Sequence, residues 1–210
     1  MHSTVHTPTC AQLLKRSGIP VIEVGDLTDD PIDSVVSYSN QDASRVMTRH
    51  LIDRGRRRIG FVMLDSRDNR RVEARLAGYR RALSDADLAF DPDLVREAGP
   101  GFQAGGRALV SLVAQEPAPD AVFFSGDVHA IGALMEAQRR NWAVPDRIAI
   151  AGFDDHEIAD QIVPPLTTLA IPRDEIGRRA AELILGRIDG TIAESQRQNL
   201  GFSLTVRGST

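Results

Sequence analysis

The sequence predicts an α/β fold with parallel strands, and two observations support that prediction. From Arg57 onward, short β-rich runs alternate four times with longer amphipathic stretches, which is the pattern of strand–helix–strand units. The chain has 210 residues, of which 42% are hydrophobic and 26% charged, so it can form one large domain or two lobes with a real core. We therefore expect a doubly wound parallel sheet.

Hydrophobic periodicity places the elements along the chain. Short apolar runs bounded by turn residues predict strands at 20–24, 35–38, 58–64, 94–97, 121–124, 147–151 and 200–206. Apolar residues three and four positions apart predict helices at 11–17, 42–54, 71–84, 101–114, 127–140 and 173–188. Gly18 and Gly55 end the first two helices, and Ser125 or Asp127 can cap the amides that begin helix 127–140.

The charge balance argues against a nucleic-acid surface on this chain. The formal net charge is −4, whereas a phosphate-binding face requires an excess of basic residues. Ten arginines face four acids between Asp53 and Arg81, and this run starts where helix 42–54 ends. Because cations are favoured at the negative end of a helix dipole, a solvated helix end is the preferred interpretation and a nucleic-acid patch is the alternative.

Several classes of enzyme and metal site lack the residues that they need. Lys15 is the only lysine, which excludes a phosphate-binding loop and leaves no lysine at a strand end for Schiff-base chemistry. No Gly-x-Ser-x-Gly motif is present, and neither Cys10 nor the histidines have metal-ligand spacing. We expect a protein that is not an enzyme and binds no cofactor or metal.

The apolar runs also bear on location. None approaches the roughly 20 residues that a membrane span requires, and residues 1–20 contain no apolar stretch of signal-peptide length. We expect a cytoplasmic protein without a membrane partner.

Polar residues follow three of the predicted strands, at 65–69, 125–127 and 153–156. The carboxyl ends of parallel strands gather at one edge of the sheet, where ligands bind in folds of this class. Any one of these segments is as well explained by a solvated loop that caps the next helix. Three such segments on one edge favour a polar, hydroxyl-rich ligand.

Four segments form a recognisable series: "LIDRGRRRI" at 51–59, "RLAGY" at 75–79, "VPDRIAIAGFDD" at 144–155 and "PPLTT" at 164–168. In this order and spacing they resemble the LacI/GalR family of transcriptional regulators. Two further segments, "LAIPRDEIG" at 169–177 and "LGFSL" at 200–204, are most similar to the gluconate-repressor branch of that family. The resemblance extends over nearly the whole chain.

The resemblance implies a periplasmic-binding-protein-like fold of two α/β lobes with parallel sheets and a ligand between them. Residues 1–39 then form the remainder of the amino-terminal lobe and 40–166 the carboxyl-terminal lobe. Residues 167–210 supply a crossover, a helix of the first lobe and the final strand. Family members begin with a helix-turn-helix and the opening elements of the first lobe. We therefore expect that lobe to be incomplete, through truncation or a start codon assigned too far downstream.

The resemblance also implies contacts with the ligand. Arg75 stands where the family has an arginine that binds ligand hydroxyls or a carboxylate, and Asp154 matches an aspartate that accepts hydrogen bonds from sugar hydroxyls. Glu23 matches an acidic position of the cleft in the other lobe. Phe153, next to Asp154, is either a contact or a plain core residue.

Two positions depart from the family pattern. Arg173 replaces an aromatic residue that stacks on a sugar ring in many members, and a guanidinium fork is matched to a planar carboxylate. Gly126 replaces an asparagine, which leaves Asp127 either a ligand contact or a helix cap. Because of Arg173, a ligand that bears a carboxylate is preferred to a neutral sugar.

These features together predict the effector-sensing domain of a LacI-type transcriptional regulator, and leave open whether it is a repressor or an activator. We expect it to bind an aldonate such as gluconate, or a sugar, and to control operator DNA through a helix-turn-helix that is absent from this chain. A homodimer is expected, as in the family. The alternative is the sugar-binding protein of an ABC importer, which has the same fold but is exported. The sequence leaves open the effector and the operator.

Overall fold

The structure is a computed structural model that describes residues 6–64 and 69–210. Its helices are α1 (Pro8–Arg16), α2 (Asn40–Asp53), α3 (Arg70–Asp85), α4 (Phe102–Val113), α5 (Asp127–Arg139) and α6 (Arg173–Ile188). Its strands are β1 (Ile22–Glu23), β2 (Ser34–Ser37), β3 (Ile59–Leu64), β4 (Val95–Ala98), β5 (Ala121–Phe124), β6 (Ala149–Ala151), β7 (Thr168–Ala170), β8 (Arg197–Asn199) and β9 (Ser203–Thr205). No helix within the described ranges is both long and apolar enough to cross a membrane.

A four-stranded parallel sheet forms the larger lobe, with strand order β4-β3-β5-β6. Successive side chains of a strand point to opposite faces, so the sheet contributes to two cores. Phe61 packs in one cluster with residues of α2 and α3, whereas the adjacent Val62 packs in the other with residues of α4 and α5. The predicted α/β fold with parallel strands is confirmed.

The smaller lobe contains a three-stranded parallel sheet in the order β1-β2-β8. Helix α6 covers it, and Ile176 and Leu183 of that helix pack in one continuous cluster with Ile22 and with the core around Phe61. Strands β7 and β9 pair antiparallel where the chain passes between the lobes. Beyond β9 the chain returns to the larger lobe, since the Ile150 amide donates to the Ser209 carbonyl at 2.8 Å.

One predicted strand is wrong. The sequence indicated a single strand over 200–206, but the structure has β8 and β9 on either side of Gly201, whose φ is +70°. That left-handed backbone conformation is accessible to glycine and turns the chain out of the first sheet. The two strands consequently join different sheets.

The arginines that follow α2 donate hydrogen bonds to carbonyl groups of the same chain. Arg56 donates to the Pro145 carbonyl at 2.8 Å, Arg57 to the Ile52 carbonyl at 3.0 Å and Arg58 to the Pro117 carbonyl at 2.9 Å. The contacts of Arg56 and Arg58 join the end of α2 to loops of the larger lobe, and that of Arg57 lies within the helix end itself. They support the interpretation of the run as a helix end rather than a nucleic-acid patch.

Helices α4 and α5 touch through glycines, so their backbones come unusually close. A Cβ atom on Gly132 would lie 1.8 Å from the Phe102 carbonyl oxygen, and one on Gly105 would lie 2.0 Å from the His129 carbonyl oxygen. Backbone atoms of two packed helices cannot move aside locally. This contact therefore requires glycine and fixes the start of α5, which faces the smaller lobe.

We predict that Gly132→Ala lowers the free energy of unfolding by about 2 kcal/mol, because overpacking forces the two helices apart. Gly177→Ala is the matched control, since Gly177 lies inside α6 with open space around its Cβ position. The control should be neutral or raise stability by up to about 1 kcal/mol through helix propensity. Urea unfolding of both variants measures the difference, and equal effects would contradict the close approach.

Candidate ligand-binding site

A cavity of about 530 Å³ lies between the two lobes, at the carboxyl ends of their strands. This volume is in the range of small-molecule sites. The smaller lobe contributes Val24, Gly25, Ile171, Arg173, Ile176 and Gly177. The larger lobe and the segment leading into it contribute Tyr38, Leu64, Asn69, Arg71, Val72, Arg75, Pro100, Gly101, Ser125, Gly126, Asp127, Val128, His129 and Asp154.

Arg75 lies at the base of the cavity, and only 8% of its surface is exposed. Its Nε donates to the Asn40 side-chain oxygen at 2.8 Å, and one Nη donates to the Tyr38 hydroxyl at 3.2 Å. The other Nη donates to the Ser125 carbonyl. A guanidinium carries five N–H donors, so these bonds hold the group in place without using all of its donors.

Phe153 lies beneath Arg75 rather than in the cavity wall. Its ring is fully buried, and its centroid is 3.6 Å from the guanidinium carbon of Arg75, a cation–π contact. Of the two interpretations that the sequence allowed, the structure places Phe153 in the core. Its link to the cavity runs through the arginine that it supports.

Asp154 and Arg173 meet across the cavity. The Arg173 Nη2 is 2.7 Å from the Asp154 Oδ1, and its Nη1 donates to the Asp154 carbonyl at 2.8 Å. Arg173 is the first residue of α6 in the smaller lobe, whereas Asp154 follows β6 of the larger lobe and has a φ of +120°. Arg173 and Asp154 therefore pair with each other in the structure, whereas each was expected separately to contact the ligand.

Asp127 is buried at the start of α5 and supports the loop after β6. Its carboxylate accepts hydrogen bonds from the His156 amide at 2.8 Å and the Thr168 hydroxyl at 2.6 Å. Burial raises the pKa of this carboxyl above its ordinary value, and these hydrogen bonds oppose the rise. The capping prediction is wrong, because α5 begins after Gly126 without any side-chain cap.

Glu23 does not line the cavity. Its carboxylate accepts a hydrogen bond from the Ile32 amide at 2.7 Å and lies 3.1 Å from the His6 Nε2. Successive strand residues face opposite sides, and the preceding Ile22 occupies the core, so Glu23 points away from that core. The residues after β1 that reach the cavity are Val24 and Gly25.

The sequence interpretation missed Arg71, which lines the cavity and is half-buried. Burial lowers the pKa of its guanidinium, and the charge of nearby Arg75 lowers it further. The signal was present in the sequence, because residues four positions apart on one helix share a face. Of the polar segment predicted at 65–69, residues 65–68 lie outside the described residues, and Asn69 lines the cavity.

His129 was also missed. It is buried at the cavity, with its Nε2 2.8 Å from the Gly99 carbonyl oxygen. In the described part of the chain, no three histidine, cysteine, aspartate or glutamate side chains come together in a way that could hold a metal ion.

We predict that Asp127→Asn lowers the free energy of unfolding by about 1–3 kcal/mol, because the His156 amide and the Thr168 hydroxyl donate to different carboxylate oxygens and an amide replaces one of these acceptors with an NH2 group. Asp42→Asn is the matched control, an exposed aspartate in the first turn of α2. It should cost less than about 1 kcal/mol, the size of a surface charge–dipole interaction. Chemical denaturation compares the two variants, and a loss in Asp127→Asn no larger than the control's would show that the loop does not depend on this carboxylate.

Comparison with known proteins identifies relatives of this chain. The family model of the periplasmic binding protein-like domain matches residues 48–210. The HTH-type transcriptional regulator GntR of Pseudomonas aeruginosa is 39% identical over 208 residues, which is 97% of this chain and 59% of that protein. The chain thus spans little more than half the length of this relative.

Two solved structures are similar over the whole chain. The transcription regulator GntR from Chromobacterium violaceum superposes with a TM-score of 0.91 at 41% identity, covering 100% of this chain and 76% of that one. A complex of the transcriptional regulator CelR with cellobiose superposes with a TM-score of 0.88 at 31% identity, covering 100% of this chain and 64% of that one. Each of these superpositions includes both lobes described above. These two proteins and the Pseudomonas relative are transcriptional regulators by name, not enzymes.

Proposed function

Since the chain belongs to the family of periplasmic binding protein-like domains, and among these to the LacI-type transcriptional regulators, we propose that it is the sensor domain of such a regulator. Its cleft binds a small sugar acid such as gluconate. The observation that carries this proposal is the interlobe cavity, in which arginines outnumber acids by three to two.

The lining of the cavity suits a hydroxylated anion. Arg71, Arg75 and Arg173 supply guanidinium groups, which bind carboxylates through charge-assisted hydrogen bonds. Of the two acids, Asp127 already accepts hydrogen bonds from the His156 amide and the Thr168 hydroxyl. Apolar residues complete the wall, as in most small-molecule sites: Val24, Leu64, Val72, Ile171 and Ile176.

Residues of both lobes line the cavity, so a bound ligand stabilises one arrangement of the lobes over others. In the proposed regulator this bias reaches operator DNA through a helix-turn-helix, the element for which the GntR relative is named. A homodimer presents two such elements to paired half-sites. A cytoplasmic location follows from the same proposal.

The sugar-binding protein of an importer has the same two-lobed fold and is the alternative function. The relatives that match over nearly all of this chain are transcriptional regulators by name. Cellobiose is bound in one of the similar structures, which supports a sugar-related ligand here. The regulator is therefore the favoured function.

We predict that the chain binds D-gluconate at least about tenfold more tightly than D-glucitol, in which a hydroxymethyl group replaces the carboxylate. The two compounds have the same carbon skeleton, so the comparison isolates the charge of the ligand. Isothermal titration calorimetry measures both affinities. Equal affinities, or binding of D-glucitol alone, would contradict the proposal of a sugar acid and leave a neutral sugar as the ligand.

A further inference from the structure

We infer that His129 binds a hydroxyl group of the ligand through its Nδ1, and that it selects for hydroxylated ligands at the wall of the cavity formed by α5. This inference rests on the proposed function and adds a residue that the sequence interpretation did not assign. It concerns the hydroxyl groups of a sugar acid and not its carboxylate.

The hydrogen bond of His129 fixes which ring nitrogen carries the hydrogen. The side chain lines the cavity, although only 3% of the residue is exposed. Its Nε2 is 2.8 Å from the Gly99 carbonyl oxygen, which can only accept a hydrogen bond. The hydrogen is therefore on Nε2. A neutral imidazole has one such hydrogen, so Nδ1 is a bare acceptor.

This acceptor is available to a ligand. Nδ1 forms no hydrogen bond with any residue of the described chain, yet it is not one of the fully buried atoms that lack a partner. When a ligand fills the cavity, an acceptor left without a donor is costly. A ligand hydroxyl supplies the donor, whereas a carboxylate has no hydrogen to donate and would face the lone pair of Nδ1.

Gly126 leaves the approach to His129 open. The His129 amide donates to the Gly126 carbonyl at 3.2 Å, so the two residues are one helical turn apart, and both line the cavity. A Cβ atom on Gly126 would meet nothing within 4 Å. A ligand group can therefore lie over Gly126 and reach the histidine ring.

Neighbouring acceptors on this wall already have donors from the protein. The Ser125 carbonyl accepts a hydrogen bond from Arg75, and the Asp127 carboxylate accepts hydrogen bonds from two protein groups. His129 differs from them, because its Nδ1 accepts no hydrogen bond within the described residues. A hydroxyl that binds at Nδ1 displaces no existing contact.

The experiment measures how tightly the whole chain binds D-gluconate and analogues of D-gluconate that each lack one hydroxyl group. Calorimetry at mildly alkaline pH is used, because histidine is neutral there. We expect one analogue to bind at least about tenfold more weakly than D-gluconate, since it leaves Nδ1 without a donor. In His129→Leu, D-gluconate should bind about tenfold more weakly, and the same analogue should bind within about threefold of D-gluconate.

His129→Asn separates the ligand contact from a purely structural role. Both variants lose the hydrogen bond to Gly99, but asparagine keeps a side-chain amide near the position of Nδ1. It should restore part of the discrimination that His129→Leu loses. His156→Leu is the matched control, because His156 is exposed and does not line the cavity, and it should bind every compound as the unchanged chain does.

Nitrogen NMR of the histidine rings in the unchanged chain provides a readout that does not depend on a variant being folded. We expect Nε2 of His129 to carry the hydrogen in the free chain. The Nδ1 resonance should move to lower frequency when D-gluconate binds, because Nδ1 then accepts a hydrogen bond. Thermal unfolding verifies that each variant is folded.

Two outcomes overturn the inference and leave the sugar-acid sensor standing. In one, D-gluconate binds without a change at the Nδ1 of His129. In the other, His129→Leu is folded and discriminates among the analogues as the unchanged chain does. If the chain binds neither D-gluconate nor neutral sugars such as glucose and cellobiose, the proposed function fails as well.

Discussion

The buried guanidinium of Arg75 is the constraint on which the cleft depends. It binds Tyr38 directly after β2 of the smaller lobe, Asn40 at the start of α2, and Ser125 directly after β5 of the larger lobe. One side chain therefore fixes the point at which the chain passes from the first lobe into the second. It does so with neutral acceptors, and among the described residues no carboxylate forms an ion pair with it. Under the proposed function, the same group provides structural support and ligand recognition.

A second contact between the lobes is of a different kind. The pair of Arg173 and Asp154 is partly exposed, and exposed ion pairs contribute about 1 kcal/mol or less. Its partners can separate at little energetic cost, whereas the bonds of Arg75 are buried. Asp127 supports this arrangement from below, since it holds His156 in the loop that presents Asp154. Buried hydrogen bonds of Arg75 and a weak ion pair across the cavity are suited to the proposed role of a cleft that responds to a small ligand.

Much of the fold could be predicted from the sequence, because periodicity reports local geometry. The helix at 173–188 and the strand at 121–124 have the predicted bounds. Contacts between residues that are distant in sequence leave no periodic pattern, and the predictions that depended on such contacts failed. The partners of Asp127 come from residues 156 and 168, and the pairing of Arg173 with Asp154 depends on how two lobes meet. Arg71 could have been found, since it lies one turn before Arg75.

A structure of the chain with D-gluconate bound is the most direct measurement of where the charge of the cleft is used. We expect the ligand to lie in the interlobe cavity, with its carboxylate within hydrogen-bond distance of at least one of the three arginines that line it, Arg71, Arg75 and Arg173. A carboxylate that contacts none of these arginines, or a ligand bound outside the interlobe cavity, would contradict this account.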